Sequence, residues 1–385
     1  MGSNYYPFIF YLKNTNKKNM AKKPEKKIIP KKEFNLDDFI TTQGLDATVT
    51  EKELKWIPLS EAFHDAVKVP GIPMGYFVSF RGYSNTGKST AIYEAIAGCQ
   101  KLGVLAVIFE TEGNWNWEHA KNIGVELREV PDEETGELKY KPKDFILLQG
   151  PDLLRLYQNY DHQHSKMGTK ALRYEPVVED ISAFMNDILD KQQEGVIQQD
   201  VAFFWDSVGS INCFKGATSK TTNNQWTAGA LATCFKSLIN YRIPSSRRTD
   251  CEYTATFAVV QQIWLDNENK VIKHKGGEAF FYSPRMIFHF GGILTHSTEK
   301  LKATYRGEEY QFGVTTKVRC EKNQVNGIEQ KGSIASTPHG YWNPDKIDEY
   351  KEKYKDFIKE KLNTEFDDFI IETEAMSLSS EDMRM

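Results

Sequence analysis

The sequence predicts an α/β fold in which a mostly parallel central sheet is covered by helices on both faces. Three observations lead there. Short apolar runs rich in Val and Phe alternate with longer stretches of helical period. The run Val201–Trp205 is apolar throughout, as strands buried on both faces are. Each parallel pair also needs a crossover long enough to hold a helix, and the intervening segments supply that length.

In chain order, residues 1–33 are polar, lysine-rich and interrupted by Pro24 and Pro30, so a flexible arm is expected. Residues 34–70 are expected as a short helical or linker segment docking on the core or on a neighbouring copy. Within it Trp56, Ile57, Leu59, Ala62, Phe63 and Ala66 recur at spacings that predict one short helix. The core is expected over 71–342. It opens with a strand at Tyr76–Phe80, a helix at Lys88–Leu102, a strand at Val104–Phe109 and a short helix at Trp117–Ile123. Val178, Ile181, Met185, Ile188 and Leu189 mark one face of a further helix, which leads to the strand Val201–Trp205. Trp226–Tyr241 again has helical period, and Thr254–Val260 reads as a strand.

Beyond Gly276 the rhythm shortens. Met286–Phe290, Thr315–Cys320 and Gly332–Ala335 are short strands joined by turns, which predicts an antiparallel extension of the sheet at the C-terminal side. Ile347, Tyr350, Tyr354, Phe357 and Ile358 then fall at helical spacing, so 343–363 is expected to form one amphipathic helix. An acidic tail follows over 364–385.

Composition excludes several classes. With 385 residues, 40% hydrophobic and 26% charged, the chain can bury one substantial core with small appendages. A net charge of -4 supplies no global basic field, so any contact with nucleic acid must come from local patches. Charge is segregated: residues 17–32 hold eight lysines against one glutamate, and Glu365–Met385 holds seven acidic residues against Arg384. The five cysteines lack C-x-x-C spacing, which predicts reduced thiols rather than a zinc site or disulfide framework. Tyr5–Leu12 is too short to span a bilayer, so no membrane partner is expected. The expected location is cytoplasmic.

The strongest local motif runs from Gly82 through Tyr83, Ser84, Asn85, Thr86 and Gly87 to Lys88 and Ser89, with Thr90 following. It satisfies G-x-x-x-x-G-K-[ST] directly after a strand and directly before a helix. Glycines let the backbone wrap close to phosphates, Lys88 supplies a charge at the β/γ-phosphates, and the Ser89 hydroxyl is placed to ligate Mg²⁺. ATP and Mg²⁺ are therefore the expected cofactors. A metal held this way needs an acidic partner at the end of a neighbouring strand, and Asp206 after the run Val201–Trp205 is placed for it. Hydrolysis needs a group that activates water. Glu110 and Glu112 point to the same side of their strand end, so alternation alone does not choose between them. Glu112 is favoured because it lies nearer the carboxyl end, where ligands of open α/β sheets sit.

Several further segments occur in an order that resembles the RecA/UvsX-type recombinase family. They are Gly71–Gly75, Phe109–Val125, Phe204–Ser207, the strand ending in Gln261-Gln262-Ile263, Gly276–Tyr282 and Lys317–Asn323, and the similarity spans about Trp56 to Gly340. The resemblance implies a RecA-like P-loop core. It also implies that Glu112 is the water-activating glutamate and that Gln262 senses the γ-phosphate. Asn116 and His119 fall where the family contacts adenine, with different residue types. Lys322 matches the first of two lysines that reach a neighbour's ATP, while the second position is Gln324, with Arg319 or Lys317 available to compensate. About forty-five residues follow Gly340, which resembles the compact phage-like or archaeal-like forms more than bacterial RecA.

Two segments match the positions of the family's DNA-contacting loops. One is 210–225, with Lys215 and Lys220; the other is 263–277, with Trp264, Lys270, Lys273, Lys275, Gly276 and Gly277. Lysines neutralise phosphates and an aromatic stacks on bases. The expected activity is that of a DNA-dependent ATPase and recombinase, forming a homo-oligomeric filament on single-stranded DNA and pairing it with homologous duplex. A single-strand-binding or loader protein is a further possible partner. Hexameric helicases of the DnaB or RadA/Sms kind and KaiC-like ATPases share the core and stand as alternatives.

Overall fold

The structure is a computed structural model that describes residues 35–43, 50–132, 136–149, 152–153, 176–218, 224–266, 271–274, 276–292, 298–305 and 308–361. The arm at 1–33, the acidic tail at 364–385, and Lys220, Lys270 and Lys275 lie outside those residues. The chain divides into two units, Met1–Thr48 and Val49–Met385. In the first, helix α1 (Leu36–Thr42) starts at Asn35, whose side chain accepts the N–H groups of Asp37 and Asp38.

The second unit is built on an 11-stranded sheet. Its parallel body comprises β3 (Phe77–Gly82), β4 (Leu105–Glu110), β7 (Phe145–Gln149), β8 (Val201–Val208), β9 (Ala255–Asp266) and β11 (Met286–Phe290), in the spatial order β11-β3-β9-β8-β4-β7. The α/β class is borne out. Side chains alternate across each strand, so every strand feeds two cores. Phe80, Phe204, Phe288 and Phe290 face α3 (Lys88–Leu102) and Phe63 of α2 (Glu61–Val67). Phe77, Phe203, Trp205 and Phe257 face α5 (Val178–Gln193), α7 (Asn224–Cys234) and Phe280 of α8 (Gly277–Tyr282). The short helices α4 (Trp117–Ile123) and α6 (Phe214–Thr218) lie at the carboxyl ends of β4 and β8. All five cysteines are free.

The antiparallel extension starts one strand later than expected. Met286–Phe290 pairs in parallel with β3, and it is β13 (Glu308–Asn323) that turns antiparallel against it. Strands β12 (Thr298–Tyr305), β14 (Lys331–Thr337) and β15 (Gly340–Trp342) complete that side. Its packing draws on a third apolar cluster of Phe312, Ile347, Tyr350 and Ile358. The Glu94 carboxylate of α3 accepts the N–H groups of Ser60 (2.9 Å) and Tyr341 (2.7 Å), tying this side to the start of α2. Burial pushes its carboxyl up to about 7, opposed by those two donors.

Four local expectations are corrected. Trp56–Pro58 is a strand, β1, paired with β2 (Gly71–Pro73), because Pro58 cannot sit inside a helix and Ser60 caps α2 from outside. The helix expected over Trp226–Tyr241 is interrupted: α7 stops at Cys234 and a π turn occupies Leu238–Arg242, with Leu238 and Ile239 both buried. The C-terminal helix is likewise two pieces, α9 (Ile347–Lys353) and α10 at 355–361, separated where Tyr354 leaves helical geometry (φ -110°, ψ 26°). The segment 263–277 is not an irregular loop. β9 runs on to Asp266 and folds back as β10 (Val271–His274), placing Trp264 opposite Lys273. A second hairpin that the sequence did not announce joins β5 (Leu127–Pro131) to β6 (Leu138–Pro142).

Candidate active site

β3 ends at Gly82, level with Gln262 of β9 and Phe290 of β11, and the chain turns through Tyr83–Gly87 into α3. Asn85 (φ 58°) and Gly87 (φ 83°) take left-handed backbone conformations to make the turn. Gly87 is also pressed against β14, where an added Cβ would lie 2.6 Å from the Ser336 Cβ. The Tyr341 hydroxyl donates to the Gly87 carbonyl (2.6 Å), and the Thr90 and Ser336 hydroxyls meet at 2.7 Å. The antiparallel side of the sheet thus braces the turn. Ser84–Thr90 line a cavity of about 790 Å³, and N–H groups at a helix start are ready-made anion ligands.

The Lys88 Nζ donates to the Tyr83 carbonyl (2.5 Å) and to the Thr86 hydroxyl (3.4 Å). Burial draws its ammonium down to about 8, while Asp206 and Glu112 favour the charged form. Burial pushes the Asp206 carboxyl up to about 6; the Ser89 hydroxyl, which donates to it, and Lys88 oppose that rise, and Glu112 and Glu110 reinforce it. Ser89 and Asp206 are therefore close enough to share one ion. Among the described residues no three His, Cys, Asp or Glu side chains gather to hold a metal by themselves. One hydroxyl and one carboxylate suit Mg²⁺, which keeps several waters and takes phosphate oxygens rather than an all-protein cage.

The two glutamates separate cleanly. Glu110 accepts the N–H groups of Glu112 (3.0 Å), Gly113 (3.0 Å) and Asn114 (3.1 Å), so its carboxylate is consumed in holding the turn. Glu112 faces the cavity, where its Oε1 accepts from Gln262 Nε2 (3.0 Å) and from the Ser207 hydroxyl. Asn116 and His119 also line the cavity, but the Asn116 side chain is taken up capping α4 through the His119 N–H (2.8 Å). The His119 ring sits edge-on to Tyr93 (4.9 Å) and hydrogen-bonds the Pro338 carbonyl. Lys322 is not brought to the cavity; its Nζ donates to the Tyr282 carbonyl (2.8 Å).

The two candidate DNA segments are rooted side by side. Gly277 packs so closely on α7 that an added Cβ would lie 2.7 Å from the Ala228 Cβ, and Gly276 abuts Val208. Lys215 places its Nζ 4.3 Å from the centre of the Trp226 ring. Trp264 is 42% exposed, and Lys273 pairs with Asp266 (2.8 Å). Tyr310, Pro338, Phe357 and Lys361 also reach the cavity wall. Sequence reasoning missed all four, because nothing local in 310 or 338–361 marks a ligand site.

No family model matches this chain. A stretch of 71 residues is 34% identical to Protein RecA of Ureaplasma parvum serovar 3, covering 18% of this chain and 21% of that protein. Protein RecA of Mycoplasma pneumoniae is 34% identical over 94 residues, which is 24% of this chain and 27% of the relative. Protein RecA of Clavibacter michiganensis subsp. michiganensis is 31% identical over 93 residues, 24% of this chain and 26% of the relative. The chain thus spans about a quarter or less of the length of these curated relatives. Partial similarity to RecA proteins accompanies an α/β architecture consistent with a RecA-like core, and that is the level at which kinship is supported.

Proposed function

We propose that the chain is a DNA-dependent ATPase of the RecA type, a recombinase that assembles on single-stranded DNA, pairs it with homologous duplex and exchanges strands. One observation carries the reading. Glu112 in the cavity contacts Gln262, and two residues further along the same strand Trp264 stands exposed on a hairpin bearing Lys273. A change in what Glu112 and Gln262 touch has a short covalent route to that surface.

In this reading the N–H groups at the start of α3 and Lys88 hold the phosphates, and Ser89 and Asp206 would hold Mg²⁺, which offsets charge on the phosphate oxygens when bound. Glu112 orients and deprotonates the attacking water, and Gln262 follows whether a γ-phosphate is present. Lys322 of an adjacent copy adds a cation across the interface. Lys215, Trp264 and Lys273, with Lys220, Lys270 and Lys275, meet the DNA, and Gly276 and Gly277 let the base of that segment pack against Val208 and α7. The compact, UvsX-like affiliation belongs to the same proposal.

The test is ATP turnover with and without single-stranded DNA, beside a Lys88→Ala control. Turnover stimulated by DNA and abolished in K88A is expected. Lys88-dependent turnover indifferent to DNA removes the recombinase reading and leaves a plain ATPase. Electron microscopy with ATP and single-stranded DNA adds the assembly: extended filaments are expected, and closed rings favour a helicase or a KaiC-like ATPase.

A further inference from the structure

At the end formed by α4 and the turn Thr337–Gly340, the cavity changes character. Its wall there comes from His119, Asn122, Tyr310, Pro338, Phe357 and Lys361. The helix-start residues Ser84–Thr90, including Lys88, which suit phosphates, line the same cavity together with Asp206. The rings, the proline and the Asn122 amide present flat or hydrogen-bonding faces that suit a heteroaromatic ring, and the charges of Lys361 and Glu118 are paired with each other.

Two of these side chains belong to α10, at the far end of the chain. Its position is fixed from two directions. The His339 ring stacks on Tyr354 (3.6 Å between centroids) and meets Phe357 edge-on (4.8 Å), so the turn Thr337–Gly340 grips the α9–α10 junction. At the other end Lys361 Nζ bonds Glu118 Oε2 of α4 (2.8 Å) while lying 5.7 Å from the centre of the Phe357 ring. The bridge ties α10 to α4, both of its residues line the cavity, and Phe357 is half-buried in the wall beside it.

We propose that α10 completes the nucleobase subsite of its own chain, with Phe357 as a stacking face for the ring and the Glu118–Lys361 bridge holding the helix in place over it. The proposal rests on the nucleotide reading above and assigns affinity for the base to the C-terminal helix, separately from affinity for the phosphates.

Binding of ATP and of inorganic tripolyphosphate to the full-length protein, measured by calorimetry, separates the two contributions. Phe357→Ala is expected to weaken ATP roughly tenfold, the scale of one lost aromatic–base stack, and to leave tripolyphosphate unchanged. Lys361→Glu is expected to weaken ATP in the same selective way, and the charge-swapped pair E118K/K361E to restore it. That rescue excludes general damage to the fold as the cause. Equal weakening of both ligands by F357A, or unchanged ATP affinity, overturns the proposal while Lys88-dependent binding keeps the nucleotide reading. If the wild type shows no Lys88-dependent binding of either ligand, the nucleotide reading falls and takes this proposal with it.

Discussion

Glu110 and Glu112 sit two positions apart on one strand end, yet their surroundings give them different tasks. Three backbone N–H groups converge on Glu110, and a carboxylate used in that way is a structural element of the turn. The donors recorded on Glu112 are side chains, Gln262, Ser207 and Asn114, which a bound nucleotide can rearrange. Glu110→Ala should therefore cost about 1–3 kcal/mol of stability, because three part-buried N–H groups of the turn lose a charged acceptor. Glu112→Gln should melt within a few degrees of the wild type, still bind ATP, and lose turnover by about a hundredfold or more, as expected for removal of a general base. Thermal melts beside single-turnover hydrolysis check both. A turnover loss confined to the Glu110 variant would reverse the assignment.

Among the elements, legibility followed how local the physics is. Helices Lys88–Leu102 and Trp117–Ile123 and the strand Met286–Phe290 were readable to the residue, because their periods and end signals lie within the segments themselves. The β9–β10 hairpin was not, because the lysines and paired glycines of the segment 263–277 carry a loop composition and only the cross-strand partner makes its first part a strand. Glu112, Lys88 and Asp206 were legible as a set from motif spacing, and the cavity unites them. Phe357 and Lys361 were not, since they enter that cavity only through tertiary packing of α10. The same packing carries a pH dependence. Burial draws the His339 imidazole down to about 4, with nearby His119 and Lys353 acting in the same direction and Glu118 against it. Burial raises the hydroxyl of Tyr350, which meets the ring at 3.0 Å, above its ordinary range. An unfolded histidine titrates near ~6.5, so its neutral docked form is fully favoured above that pH, and the benefit is lost as pH falls toward 4. Protection factors across 347–361, corrected for the intrinsic slowing of amide exchange in acid, should fall between pH 6.5 and 4.5 more steeply in the wild type than in His339→Phe, which keeps the stack without the titration. Equal slopes would refute the assignment.

In the molecule as a whole, one strand joins the two activities that the reading requires. β9 lies in the middle of the parallel body between β3 and β8, so its register is locked by two neighbours as far as Gln262, which pairs with Gly82. Past that point its strand pairing among the described residues is with β10 alone. A shift of Gln262 on nucleotide binding therefore meets rigid packing on one side and a two-stranded ribbon on the other, and displacement should appear in the ribbon, which opens at lower free energy than a sheet interior. Trp264 sits at that transition and is 42% exposed, so its emission should report the change. The chain holds seven tryptophans, so the signal must be assigned by difference. Adding ATP and Mg²⁺ should alter wild-type emission; Trp264→Phe should lose that component while binding ATP normally. Gln262→Ala should bind ATP yet leave the Trp264 component still, because the contact that would pull on β9 is gone. If Gln262→Ala gave the full wild-type change, the strand could not be the route between cavity and hairpin, and coupling would have to run through the adjacent roots of the segments 210–225 and 263–277.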